Sequence, residues 1–220
     1  MSRLLEELRH LLNERDDVST LEGCSEGRLV RALTMLTHDD EDIVRQRACR
    51  ELGKIVSRMP KEKIDNFVRR QLWRLNPESG DHPFGVPELL GEIGNRAPEQ
   101  IASSVPVMMN YLDDEKLRPG LLQAAGRIGE TIPEALSAHV DKISAYLRDQ
   151  NAVISGNAAL ALCRIGGNVS RTALKAAGND TREVLIFCEE EFRKVKLAEL
   201  AGQGCTRGGG LCFIPNREQV

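Results

Sequence analysis

Glu88 and Glu92 are the first residues of this chain whose type and spacing could do chemistry. Four positions apart on a helix, they share one face, where two carboxylates can bind a divalent cation or divide the roles of proton donor and acceptor. Their sequence surroundings favour a plainer role. Arg50 and Lys54 stand at corresponding positions one unit earlier and Arg127 one unit later, so the acids read as rungs of an ionic ladder.

A second concentration lies just upstream. The segment from Trp73 to Pro87 gathers the only tryptophan of the chain, His82, Phe84, two glycines and three prolines. A long, stiff loop carrying aromatics is a better functional candidate than a regular helix. Three uses follow from its residues. Trp73 and Phe84 can anchor a partner peptide; His82 with Asp81 and Glu78 can ligate a metal; or the loop can cover a groove or a helix end. A lone histidine among acids is ordinarily a solvated side chain. The expected partner-contact set is therefore Trp73, Asn76, Glu78, His82, Phe84, Glu88, Glu92 and Arg127, with another protein as the partner and no catalytic residue, metal or cofactor assigned.

The third concentration is at the C-terminal end, where six residues separate Cys205 and Cys212 on a glycine-rich segment. Two such thiols can chelate a metal, close a disulfide loop or carry a group as a thioether, but the spacing lacks the Cys-x-x-Cys signature. Residues 201–220 are read as a mobile tail whose Leu211, Phe213 and Ile214 dock on the last unit or on a partner.

What positions these residues is a repeat. Leu52-Gly53-Lys54-Ile55, Leu90-Gly91-Glu92-Ile93, Ala125-Gly126-Arg127-Ile128 and Leu162-Cys163-Arg164-Ile165 recur at periods of 38, 35 and 37, and a proline follows seven positions after the first three anchors. Periods of this length mark stacked helical hairpins. An amphipathic helix is expected at 1–13, then hairpins at 25–36 with 41–58, 61–75 with 86–95, 99–112 with 116–131 and 134–147 with 152–165. A fifth, weaker unit spans 170–200, where Asp180 and Val184 take the places of Asp149 and Val153. The fold class is all-α, one solenoid over residues 1–200. Aromatics at 4% leave Leu, Ile, Val and Ala to fill the interior, which suits close helix packing.

A net charge of −3 argues against a global basic field that would collect nucleic acid or anionic lipid. No stretch approaches the ~20 apolar residues of a membrane span, the N-terminus lacks the pattern of a signal peptide, and Cys49, Cys163 and Cys188 fall at apolar positions as buried fillers. Neither nucleic acid nor membrane is expected as a partner, and a cytoplasmic setting is.

The chain resembles HEAT-repeat proteins, in particular bacterial units of the phycobilin-lyase-like kind. The resemblance rests on the Asp39-Asp40, Asp113-Asp114 and Asp149 turns, on Val44 and Val153, on the small residues Ala48, Ala124 and Ala158, and on the closing Gly-x-Ile or Cys-x-Ile. It covers roughly 25–195 and implies a right-handed α-α superhelix, armadillo-like in architecture, with the second helices on the concave side. Arg50, Lys54, Glu88, Glu92, Gln123, Arg127, Leu160 and Arg164 would then line a groove. The family includes scaffolds, tetrapyrrole lyases and chaperones, a di-iron hydroxylase and DNA glycosylases. No His-Glu dipeptide of the hydroxylase type occurs here, and acids in mid-groove oppose the glycosylase reading. A protein-binding scaffold is the expectation, with tetrapyrrole or cofactor handling as the alternative. Trp73-x-Leu75-Asn76-x-Glu78-Ser79-Gly80 also looks like stretches in stand-alone HEAT proteins of anaerobic bacteria.

Overall fold

The computed structural model describes residues 2–15, 18, 21, 23–80, 84–188 and 190–202. Its helices are α1 (Ser2–Glu14), α2 (Glu26–Leu36), α3 (Asp42–Val56), α4 (Lys61–Arg74), α5 (Val86–Arg96), α6 (Pro98–Ile101), α7 (Val105–Asn110), α8 (Arg118–Gly129), α9 (Val140–Ala145), α10 (Ala152–Ile165), α11 (Gly167–Ala176) and α12 (Leu197–Gly202), with one antiparallel pair, β1 (Glu183–Cys188) and β2 (Glu191–Lys196). The described fold is thus mostly helical with a small two-stranded sheet.

The helices that carry the anchor pattern form a row in which α3 packs on α5, α5 on α8 and α8 on α10. The recurring glycine marks where neighbours in this row come closest. A Cβ on Gly91 would sit 2.6 Å from Cα of Ala124, and one on Gly53 would sit 2.8 Å from Cβ of Glu92, so at those two points the neighbouring helix takes the space a side chain would fill. Around them Leu52, Leu89, Leu90, Ile93, Leu121, Leu122, Ile128 and Leu162 are fully buried.

Four of the five units, all but the second, turn from their first segment into their second through the same device. The carboxylate of Asp39 accepts from the backbone N–H of Glu41, Asp114 from Lys116, Asp149 from Asn151 and Asp180 from Arg182, all at 2.8–3.0 Å. An Asp that satisfies the amide two residues on closes a turn by itself. Arginines reinforce three of these turns from the following element: Arg45 donates to the carbonyl of Asp39, Arg118 to those of Leu112 and Asp113, and Arg182 to those of Leu147 and Asp149.

Three expectations are corrected. The first helices of the third and fourth units are broken into short α and 3-10 pieces: Ala102–Ser104 and Pro133–His139 are 3-10. Pro106 removes the amide that would bond back across the first of these breaks. The second correction concerns all-α composition. The fifth unit opens with α11 and turns at Asp180 as expected, but the helix expected next is the β1–β2 hairpin. Val184, Ile186 and Phe187 supply the β-branched and aromatic residues that favour a pleated surface, and β2 adds Phe192 and Val195. Val184 pairs with Val195, Glu183 with Lys196, and the rings of Phe187 and Phe192 meet edge to face at 5.3 Å. Cys188 therefore lies in a strand. The third is Cys163, which is buried as expected but disulfide-bonded.

Candidate functional site

Gln46 on α3 and Gln123 on α8 exchange two hydrogen bonds of 3.1 and 2.6 Å although α5 lies between their helices. Both side chains therefore reach over α5 on one side of the row, and that side is the polar one.

On that side Glu92 is 4% exposed. Arg127 grips it with Nε to Oε1 at 2.7 Å and Nη2 to Oε2 at 3.1 Å, and Arg96 stands 3.6 Å away. Arg127 also binds Glu130 and Asn95, and Arg164 reaches Glu130 at 2.9 Å. Burial alone would draw the Arg127 guanidinium down, but the carboxylates of Glu92 and Glu130 hold it above its ordinary value. The ladder expected for Glu92 and Arg127 is present, and it runs on through Glu130 to Arg164.

Glu88 is not part of it. Its Oε2 is inaccessible and has no hydrogen-bond partner among the described residues, and Gly120 packs on the carboxylate so closely that a Cβ there would lie 2.6 Å from Oε2. Burial pushes this carboxyl above the usual carboxylate range, with only partial relief from its own backbone amide and from Arg45. Nearby, burial and the carboxylates of Glu88 and Glu92 push the Cys49 thiol well above its ordinary value.

Arg50 and Lys54 turn elsewhere, to a residue that sequence reasoning passed over. Glu190, at the tip of the hairpin, lies 3.3 Å from Arg50 Nε and 3.8 Å from Lys54 Nζ. Arg47 donates from Nε to the carbonyl of Glu190 at 2.9 Å and from Nη1 to the carbonyls of Leu12 and Asn13 at 2.7 Å. Arg15 completes the group, 3.7 Å from Glu190 and paired with Glu191. The hairpin tip thus fastens on the end of α1 and on α3. The signal available was the β-branched and aromatic content of Val184, Ile186, Phe187 and Phe192, but the turn has none of the glycine or asparagine that announces a hairpin.

The loop residues sit apart from this face. Asn76 accepts from the N–H of Glu78 at 3.0 Å and caps the 3-10 turn Pro77–Ser79, leaving the Glu78 side chain exposed. The far end of the loop is clamped. Gly85 has φ of +77°, a Cβ on it would fall 2.0 Å from the carbonyl oxygen of Thr37, and its own carbonyl accepts from the Cys49 thiol at 3.2 Å. Arg74 contacts His38 at 2.5 Å. Beside these contacts Trp73 is 61% exposed, Phe84 52% and Met35 51%. His82 and Asp81 lie outside the described residues, as do Cys205 and Cys212. Among the described residues no three His, Cys, Asp or Glu side chains gather as a metal-holding group, and no helix is long and apolar enough to cross a membrane.

No protein-family model matches the chain. Over 84 residues it is 34% identical to an uncharacterized protein of Archaeoglobus fulgidus, a match that takes in 38% of this chain and 44% of that relative. It spans less than half of that relative's length. Two crystal structures of engineered proteins resemble the fold. One has a TM-score of 0.44 and 23% identity, covering 79% of this chain and 85% of its own; the other has a TM-score of 0.48 and 18% identity, covering 91% and 56%.

Proposed function

We propose that the chain is a HEAT-type α-solenoid, a right-handed α-α superhelix ended by a hairpin, that serves as a scaffold binding another protein. The observation that carries this reading is the exposure of Trp73 and Phe84 beside a rigid junction. Phe84 precedes Gly85, which is pressed on Thr37; Trp73 precedes Arg74, which contacts His38; and Met35 stands two residues before Thr37. Three large apolar side chains thus flank two packed contacts while facing solvent, as partner anchors do. Asn76 holds the turn between them and Glu78 offers a charge at the rim. Glu92 and Arg127 satisfy one another and support the row behind this surface.

The test is affinity capture from host lysate with wild type and Trp73→Ala/Phe84→Ala. A partner retained by wild type and lost by the variant, with helicity unchanged, supports the reading; equal capture by both overturns it. A cytoplasmic setting belongs to the same proposal. The free thiols of Cys24, Cys49 and Cys188 support it, whereas the Cys163 disulfide points the other way. Six titratable thiols in unfolded protein from its own host would support the cytoplasm, and fewer would oppose it.

A further inference from the structure

We propose that Arg15, Arg47, Arg50 and Lys54 form a recognition cleft for an acidic segment of a partner protein, and that Glu190 at the hairpin tip is its built-in, displaceable occupant. This surface is separate from the Trp73–Phe84 junction and does not depend on it.

The cleft is built before the tip arrives. Arg47 is 9% exposed and is fixed by the carbonyls of Leu12 and Asn13, the last turn of α1, where a cation also meets the negative end of the helix. Arg50 and Lys54 lie one and two turns further along α3, and Lys54 is additionally braced by Glu51. Leu12, Arg15, Arg47, Arg50, Glu51 and Glu190 together enclose a small crevice. Withdrawing the tip removes the carboxylates of Glu190 and Glu191, leaving Lys54 with Glu51 and Arg47 with Glu14 as its remaining acidic neighbour. Such a site is selective for carboxylates that come with an accepting backbone carbonyl, because Arg47 reads the carbonyl of Glu190 while Arg50 and Lys54 read its side chain.

The occupant is held by polar contacts. Among the described residues the two non-glycine residues with positive φ are Arg15 at 65° and Glu190 at 69°, and they face each other across this cleft; the left-handed conformation of Glu190 belongs to the two-residue connection between Cys188 and Glu191. The hairpin's main packing is elsewhere, on α10 through β1 and on α12 through β2, so its tip can lift while its base stays seated. Exposed charge pairs of this kind each contribute little. A partner's acidic stretch, in which several carboxylates compete for the same four cations, can therefore displace a single glutamate.

Fluorescence anisotropy with a labelled Glu-Glu-Glu-Phe-Arg peptide, the sequence of residues 189–193, tests the proposal on the full chain. Glu190→Arg/Glu191→Arg, which repels the tip from its own cleft, should bind the peptide about tenfold more tightly than wild type, a coupling of ordinary size. Adding Arg50→Ser/Lys54→Ser in that background should return affinity to the wild-type level, and a Gln-Gln-Gln-Phe-Arg control should not bind. Equal affinity of wild type and tip variant overturns the proposal, as does binding that survives loss of Arg50 and Lys54. Binding of a labelled oligonucleotide as tight as that of the peptide also overturns it, by marking a general anion patch. Should the double reversal cost helicity, the milder Glu190→Gln decides in its place: a gain over wild type supports displacement, and no gain refutes it.

Discussion

Gln46 and Gln123, 77 positions apart in sequence, are each other's hydrogen-bond partners on the polar side of the helix row, in two bonds running in opposite directions. Both are buried, so each amide depends on the other. Gln123→Leu should lower unfolding stability by about 1–3 kcal/mol, the cost of leaving a buried amide unsatisfied. The Gln46→Leu/Gln123→Leu double variant should recover much of that loss, because no polar group is then stranded. Urea unfolding of wild type, Gln46→Leu, Gln123→Leu and the double variant measures the coupling, and additive losses would mean that the two amides do not depend on each other.

Arg127 and Glu92 form the second dependency. Removing one partner of a buried ion pair leaves an uncompensated charge and typically costs about 3–5 kcal/mol. Arg127→Met should approach that cost, tempered by Arg96, which stands 3.6 Å from the same carboxylate. Glu92→Gln/Arg127→Met should be more stable than Arg127→Met alone. Thermal unfolding of the three variants checks the order, and a double variant weaker than both singles would contradict it.

Glu88 gives a pH dependence with a definite sign. Its folded-state carboxyl titrates above the ordinary 4.5 because burial penalises the charged form. The folded state therefore holds this proton more strongly than the unfolded state does, so the contribution is fully present below pH 4.5 and is lost as pH rises through the raised folded value. Asp39 works in the opposite direction, since its hydrogen bonds to Arg9 and to the Glu41 amide outweigh the cost of burial and draw it down. Glu88→Gln should abolish the Glu88 component and stabilise the protein at neutral pH by on the order of 1 kcal/mol. Chemical unfolding at pH 4 and pH 7 isolates it as the difference between variant and wild type; a variant less stable than wild type at pH 7 would mean the carboxylate is solvated or paired.

The row helices were legible in the sequence because their contacts are periodic. Glu92 and Arg127 lie 35 positions apart at equivalent places in successive units, so spacing alone predicted their pairing, and the helix expected at 152–165 is α10 with the same ends. The Asp turns were legible for the same reason, down to Asp180. Glu88 was misjudged because the cations expected to neutralise it, Arg50 and Lys54, are engaged by Glu190, a residue 140 positions from Arg50. That contact depends on the hairpin, and local continuation of the repeat had favoured a helix there. Nor could spacing reveal that Gly85 would be pressed against Thr37, which fixes the loop at one end while leaving Phe84 exposed.

The last prediction separates two kinds of glycine. Gly91 stands where α5 meets α8, and a methyl group there would lie 2.6 Å from the backbone of Ala124; since backbone cannot rotate away, the helices must separate or the turn must distort. Gly27, in the first turn of α2, has open space around its missing Cβ and an ordinary φ. Gly91→Ala should therefore destabilise by about 1–3 kcal/mol, as overpacking does. Gly27→Ala should leave the fold intact and stabilise it by about 0.5–1 kcal/mol through helix propensity. If the repeat's glycine served helix flexibility instead of close packing, both substitutions would raise the melting temperature. Opposite shifts in a single pair of thermal scans would tie the periodic glycine to the approach of neighbouring helices.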